Sequence, residues 1–137
     1  MRVLALDYGS ARCGVALSDP TGTIVTPLAP IQRVASRAGF GRLVALIQER
    51  EVELVLVGLP LSMAGGETAQ TTETREFAGR LGRRLGDVQV ELYDERLTTR
   101  LAARDVSRAA SEDSRAAAHL LEGWLARQAG GFRGTAR

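Results

Sequence analysis

Residues 54–60, LVLVGLP, are apolar at every position instead of at every second one. A strand with one face in water alternates apolar and polar residues, whereas a strand apolar on both faces has to be covered on both. This run therefore predicts a central parallel strand, and a parallel strand needs crossover helices above and below the sheet. The flanking segments agree. RVLALDY (2–8), CGVALS (13–18) and TIVTPLAPI (23–31) read as three short strands separated by glycine-containing turns, with Pro27 and Pro30 marking the third as an edge strand. Ser36 is a plausible N-cap for a helix over 36–50, on which Phe40, Leu43, Val44 and Ile47 keep helical spacing. Phe77, Leu81 and Leu85 mark a second helix closed by Gly86, and VQVELY (88–93) a fifth strand. A helix over Thr98–Ala109 and another from Ser111 to Gln128 complete the order βββ-α-β-α-β-α-α. The expected fold is a ribonuclease H-like α/β domain, a five-stranded mixed sheet with helices on both faces, spanning 1–129 and followed by a loose tail, 130–137.

Three carboxylates break local rules. Asp7 interrupts an apolar strand, Glu95 lies just beyond the fifth strand, and Asp113 sits on the apolar stripe of the last helix with Ala117, Leu120, Leu121 and Trp124. A buried, ionised carboxylate needs a cation or hydrogen-bond donors. Each acid also has a purely structural reading. Asp7 could accept from the amides of the 9–13 turn, Glu95 could pair with Arg96 or Arg100, and Asp113 could favour a helix N-terminus. Taken together, oxygen donors from separate segments at the carboxyl ends of the strands suit Mg²⁺ or Mn²⁺. His119 and Cys13 make a poor zinc set. His119 is expected on the polar face with Glu112, Arg115 and Glu122, in solvent, and Cys13 in the core. Ser18, Ser62 and Ser114 have no paired base, which argues against a serine hydrolase.

All 18 basic residues are arginine, and from Arg96 to the end eight of them face only Asp105, Glu112, Asp113 and Glu122. Arg96, Arg100, Arg104 and Arg108 recur every four residues as one helical ridge, which either follows a phosphate backbone or is an ordinary solvated face. Aromatic residues are only 4% of the chain, so base stacking on a platform is not the expected binding mode. GLPLSMAGGE (58–67) could cradle a phosphate or be a simple loop, since it lacks the ending of a P-loop. No apolar run approaches a membrane span, MRVLALDYG enters a strand directly, and the single cysteine suits a reducing compartment. A cytoplasmic location is expected.

Four segments, LALDYGSARCGVALSD, LVLVGLPLSMAGGE with TREFAGRL, VELYDERLTT and EDSRAAAHLLEGWL, occur in an order that resembles the RuvC-like YqgF/RuvX family, over nearly the whole chain. That family is described as nucleases of precursor 16S ribosomal RNA and as Holliday-junction resolvases. The resemblance implies a divalent-metal nuclease using Mg²⁺ or Mn²⁺, with Asp7, Glu95 and Asp113 as the acidic triad. Arg12, Arg96, Thr98, Arg100, Arg104 and Arg108 are expected on the nucleic-acid side. RuvC-like resolvases often carry a second acid at the end of the fourth strand. Here that strand ends GLPLSM, so Glu95 has to reach in from the next one. The expected substrate is precursor rRNA, cut by a monomer or homodimer. The alternatives are branched DNA, whose symmetric cutting needs a two-fold dimer, and a non-catalytic RNA-binding assembly module.

Overall fold

A computed structural model describes residues 1–97 and 112–130. Its strands are β1 (Val3–Asp7), β2 (Arg12–Ser18), β3 (Val25–Gln32), β4 (Leu54–Leu59) and β5 (Gln89–Asp94), and its helices α1 (Arg37–Glu49), α2 (Ala69–Leu85) and α3 (Glu112–Gly130). They form one mixed sheet in the order β3-β2-β1-β4-β5. The β1–β2 and β2–β3 pairs are antiparallel, and β1–β4 and β4–β5 are parallel. Every residue of β4 is buried, as its unbroken apolar run requires. The two-proline strand β3 lies at an edge, where a missing N–H costs the sheet nothing. The expected helix over 98–109 lies outside the described residues, as do residues 131–137 of the expected tail.

Strand alternation divides the core in two. Leu4, Leu6, Val55 and Val57 point to the side covered by Phe40, Leu43 and Ile47 of α1 and Phe77 and Leu81 of α2. Val3, Ala5, Leu54, Leu56 and Tyr93 point to the other side, against Ala117, Leu120, Leu121 and Trp124 of α3. Fully burying one such leucine contributes roughly 1.5–3 kcal/mol, so each helix is held chiefly by its apolar stripe.

The helix ends follow local chemistry. The Ser36 hydroxyl accepts from the Gly39 amide at 3.1 Å. At the start of α2, Thr68 and Thr71 bond reciprocally, and the Thr71 hydroxyl also donates to the Pro60 carbonyl, tying the helix to the loop after β4. Gly86 closes α2 with φ of 68°. On α3, the buried Ser114 hydroxyl accepts from the Val15 amide at 3.3 Å, fixing the helix's first turn against β2. Among the described residues no helix is long and apolar enough to cross a membrane.

Candidate active site

The site begins with a gap in the sheet. Asp7, the last residue of β1, stands opposite Gly14 of β2, and one step beyond the Leu6–Val57 pair the β4 neighbour is Gly58, which is itself paired with Tyr93 of β5. Asp7 has the alternation of Val3 and Ala5, so it belongs to the α3 side. A carboxylate is thus flanked on its row by two residues with no side chain. Above the row lies a cavity of about 190 Å³ lined by Asp7, Glu95, Ala116, His119 and Leu120.

Glu95 opens the short 3-10 turn Glu95–Leu97 that follows β5. Its side chain lies back over β4: a Cβ on Gly58 would meet Glu95 Cγ and Oε2 at 3.0 Å and Leu120 Cδ2 at 3.1 Å. The glycine leaves the volume that the glutamate fills. This is how an acid from the strand next to β4 enters the site when β4 carries none.

Burial, followed by the negative charges of Asp7 and Asp94, pushes the Glu95 carboxyl up to about 7. Asp94 behaves oppositely. It accepts from the Arg96 guanidinium at 3.0 and 2.6 Å and from the Arg96 backbone amide at 2.9 Å, and these bonds hold its carboxyl below the usual carboxylate range. The partner of Arg96 is therefore Asp94, and the sequence-based pairing of Glu95 with Arg96 does not form. Arg96 also reaches the carbonyl of Met63 at 3.5 Å, bridging the end of β5 to the loop after β4. That loop is a tight turn, with the Ser62 amide bonded to the Gly66 carbonyl and the Gly66 amide to the Ser62 hydroxyl, and Met63 exposed at its tip.

His119 is not the solvated residue the helical pattern suggested. It lines the cavity with Asp7 and Glu95, and its Nε2 is buried with no hydrogen-bond partner among the described residues. His119 is half-buried and follows the exposed Ala116 by one turn, so it stands on the border between the polar and buried stripes. Cys13 is buried, as expected. Asp113 is the second residue of α3, one turn before the buried Ala117, and its side chain lies outside the described residues. Thr98, Arg100, Arg104 and Arg108 lie outside them altogether. Arg12 is exposed at the start of β2. Among the described residues no three His, Cys, Asp or Glu side chains are grouped to hold a metal ion. What they bring together is a pair of carboxylates, Asp7 and Glu95, with His119 in one cavity.

Comparison with known proteins places this arrangement in context. The family model described as "RuvX: Holliday junction resolvase" matches residues 1–127. A protein of Maridesulfovibrio salexigens named "Putative pre-16S rRNA nuclease" is 38% identical over 136 residues, covering 93% of this chain and 99% of its own length. A Myxococcus xanthus protein of the same name is 41% identical over 133 residues, covering 91% and 87%. Among solved structures, the chain resembles Thermus thermophilus RuvC in complex with a Holliday-junction substrate, with a TM-score of 0.64 and 13% identity over 95% of this chain and 96% of that one. At that identity the likeness is one of fold.

Proposed function

The chain belongs to the RuvX family, and on that premise we propose that it is a divalent-metal-dependent nuclease that hydrolyses phosphodiester bonds in precursor 16S ribosomal RNA. The observation that carries this reading is that Asp7 and Glu95 line one cavity, with Glu95 laid over Gly58.

The donor set fits a hard cation. Asp7 and Glu95 share a cavity, and burial together with the charge of Asp7 raises the proton affinity of Glu95. Oxygen donors of this kind favour Mg²⁺ or Mn²⁺. Asp7 and Glu95 would hold the ion, and Asp113, at the start of the helix that forms the cavity's wall, is the third ligand in this reading. When bound, such an ion supplies Lewis-acid activation of water and stabilises charge on the scissile phosphate. The chain's own contribution is positional. Gly58 leaves the space in which Glu95 lies beside the cavity, Leu120 and Ala116 limit water on the helix side, and without a cation Glu95 keeps a proton on its carboxyl near neutral pH. Arg12, Arg96, Thr98, Arg100, Arg104 and Arg108 make up the proposed nucleic-acid side, where Arg96 would exchange Asp94 for a phosphate.

The test is the purified protein with Mg²⁺ or Mn²⁺ against matched RNA, linear DNA and four-way DNA. Selective, metal-dependent cutting of the RNA is expected, and it should disappear in Asp7→Asn. A second reading, resolution of branched DNA, follows from the description of the family as Holliday junction resolvases. It requires paired, symmetric cuts in the four-way DNA by a two-fold dimer. Absence of cleavage on all three substrates would leave a non-catalytic RNA-binding module.

A further inference from the structure

We propose that the turns β1–β2 and β3–α1 form a second phosphate-contacting surface, which grips the nucleic-acid backbone away from the scissile bond. The inference rests on the nuclease reading for the identity of the polyanion, and on separate residues for the surface itself.

The β1–β2 turn starts immediately after Asp7, so this surface adjoins the candidate active site along the chain. It is joined to the next turn by the Arg33 amide, which donates to the Ala11 carbonyl at 2.9 Å. Between the two turns lies an open depression of about 480 Å³ lined by Ser10, Ala11, Gln32 and Arg33. Three guanidinium groups belong to this corner. Arg33 lines the depression, Arg42 Nη2 donates to the Gln32 carbonyl at 3.3 Å, and Arg80 Nη1 donates to the Ala35 carbonyl at 2.8 Å while stacking over Phe40.

Their charge is not neutralised by ion pairing. Among the described residues Arg33, Arg42 and Arg80 make no salt bridge, and residues 20–48 contain three arginines and no acid at all. Glu73, a carboxylate near this cluster, is engaged by the Tyr8 hydroxyl at 2.7 Å. Guanidinium groups anchored on main-chain carbonyls keep their full charge and have donors left over, which suits phosphate oxygens.

The turn is also built at a cost. Arg33 has φ of 46°, the left-handed region that a residue with a side chain rarely adopts, and its carbonyl accepts from the Ser36 amide and hydroxyl. Gly39 lacks a side chain where a Cβ would fall 2.2 Å from that carbonyl. Glycine would satisfy position 33 with less strain. A positively charged side chain there is explained by what it contacts outside the chain.

Strain makes the test clean, because Arg33→Gly removes the charge while relieving the backbone. Binding of the full chain to a two-turn RNA duplex and to a single-stranded RNA is measured against salt concentration in EDTA, where cleavage cannot intervene. Arg33→Gly is expected to melt at the same or a higher temperature. Its log–log salt slope should be shallower by about 0.9 on the duplex and about 0.7 on the single strand, one phosphate contact in each case. Arg42→Gln, which leaves the turn's backbone untouched, should do the same and decides the matter if Arg33→Gly folds poorly. Unchanged slopes in the folded variants overturn the surface and return these arginines to ordinary solvent-facing roles. Failure of the nuclease reading is seen separately, as absent cleavage by the unaltered chain with Mn²⁺.

Discussion

Gly58→Ala is the sharpest probe of how the site is assembled, because one methyl group should displace an acid that comes from another strand. The added Cβ would lie 3.0 Å from Glu95 Cγ and Oε2 and 3.1 Å from Leu120 Cδ2, against about 3.5–4.0 Å for a relaxed carbon–carbon contact. Both neighbours must therefore give by a few tenths of an ångström. Overpacking of this kind costs about 1–3 kcal/mol, and the lower entropy of alanine in the unfolded chain offsets about 0.4–1 kcal/mol of it. A net loss of about 0.5–2 kcal/mol corresponds to a fall in melting temperature of roughly 2–8 °C for a chain of this size. Leu120 is locked in the α3 core, so Glu95, at the cavity, is the group with freedom to yield. Its carboxyl should move toward water and away from Asp7. A carbon-13 titration of Glu95 should then show its pKa falling from about 7 toward the ordinary glutamate range. Metal-dependent cleavage, assayed at a temperature where both proteins are folded, should fall by more than the stability loss explains. Wild-type cleavage together with an unmoved Glu95 titration would refute the claim that Gly58 makes the space Glu95 occupies.

Asp7→Asn keeps shape and removes charge, so cleavage should fall by more than the roughly 10–100-fold typical of residues one layer behind a metal, while binding and folding persist. If Asp7 is chiefly a hydrogen-bond acceptor, the melt with and without Mn²⁺ will instead show a loss of about 1–3 kcal/mol. For metal-free protein the Glu95 carboxyl holds its proton more tightly folded than unfolded. Its stabilising contribution is therefore complete below about pH 4.3 and is lost as pH rises through 7. Denaturant melts across that window should decline by about 1–2 kcal/mol, a figure reduced for the carboxyl's partial contact with water. The decline should flatten in Glu95→Gln and be reversed by Mn²⁺. Ser114→Ala should cost about 1–3 kcal/mol, because the buried Val15 amide loses its acceptor at 3.3 Å. A melting temperature unchanged in Ser114→Ala would show that another acceptor replaces it.

The layout was legible in the residues because it follows from patterns that act locally. The all-apolar β4 run demanded cover on both faces, the two prolines sent β3 to an edge, and Ser36 and Gly86 marked helix ends within a residue or so. Asp7 and Glu95 were visible as acids in the wrong places for a simple core. Their cooperation was not visible. Periodicity says which face a residue is on, whereas the neighbours across a sheet depend on register, and register depends on the whole pairing of β1 with β2 and β4. Only the folded sheet sets Asp7 in a row with Gly14 and Gly58, lays Glu95 into the space above Gly58 and gives Arg96 to Asp94. His119 illustrates the same limit on a helix. Arg115 lies four residues before it and Glu122 three after it, but Ala116 lies three before it, so helical spacing alone fits both the polar stripe and the cavity, and the packing of α3 on the sheet decides between them. That packing is the fit of many side chains at once, so no short stretch of sequence encodes it.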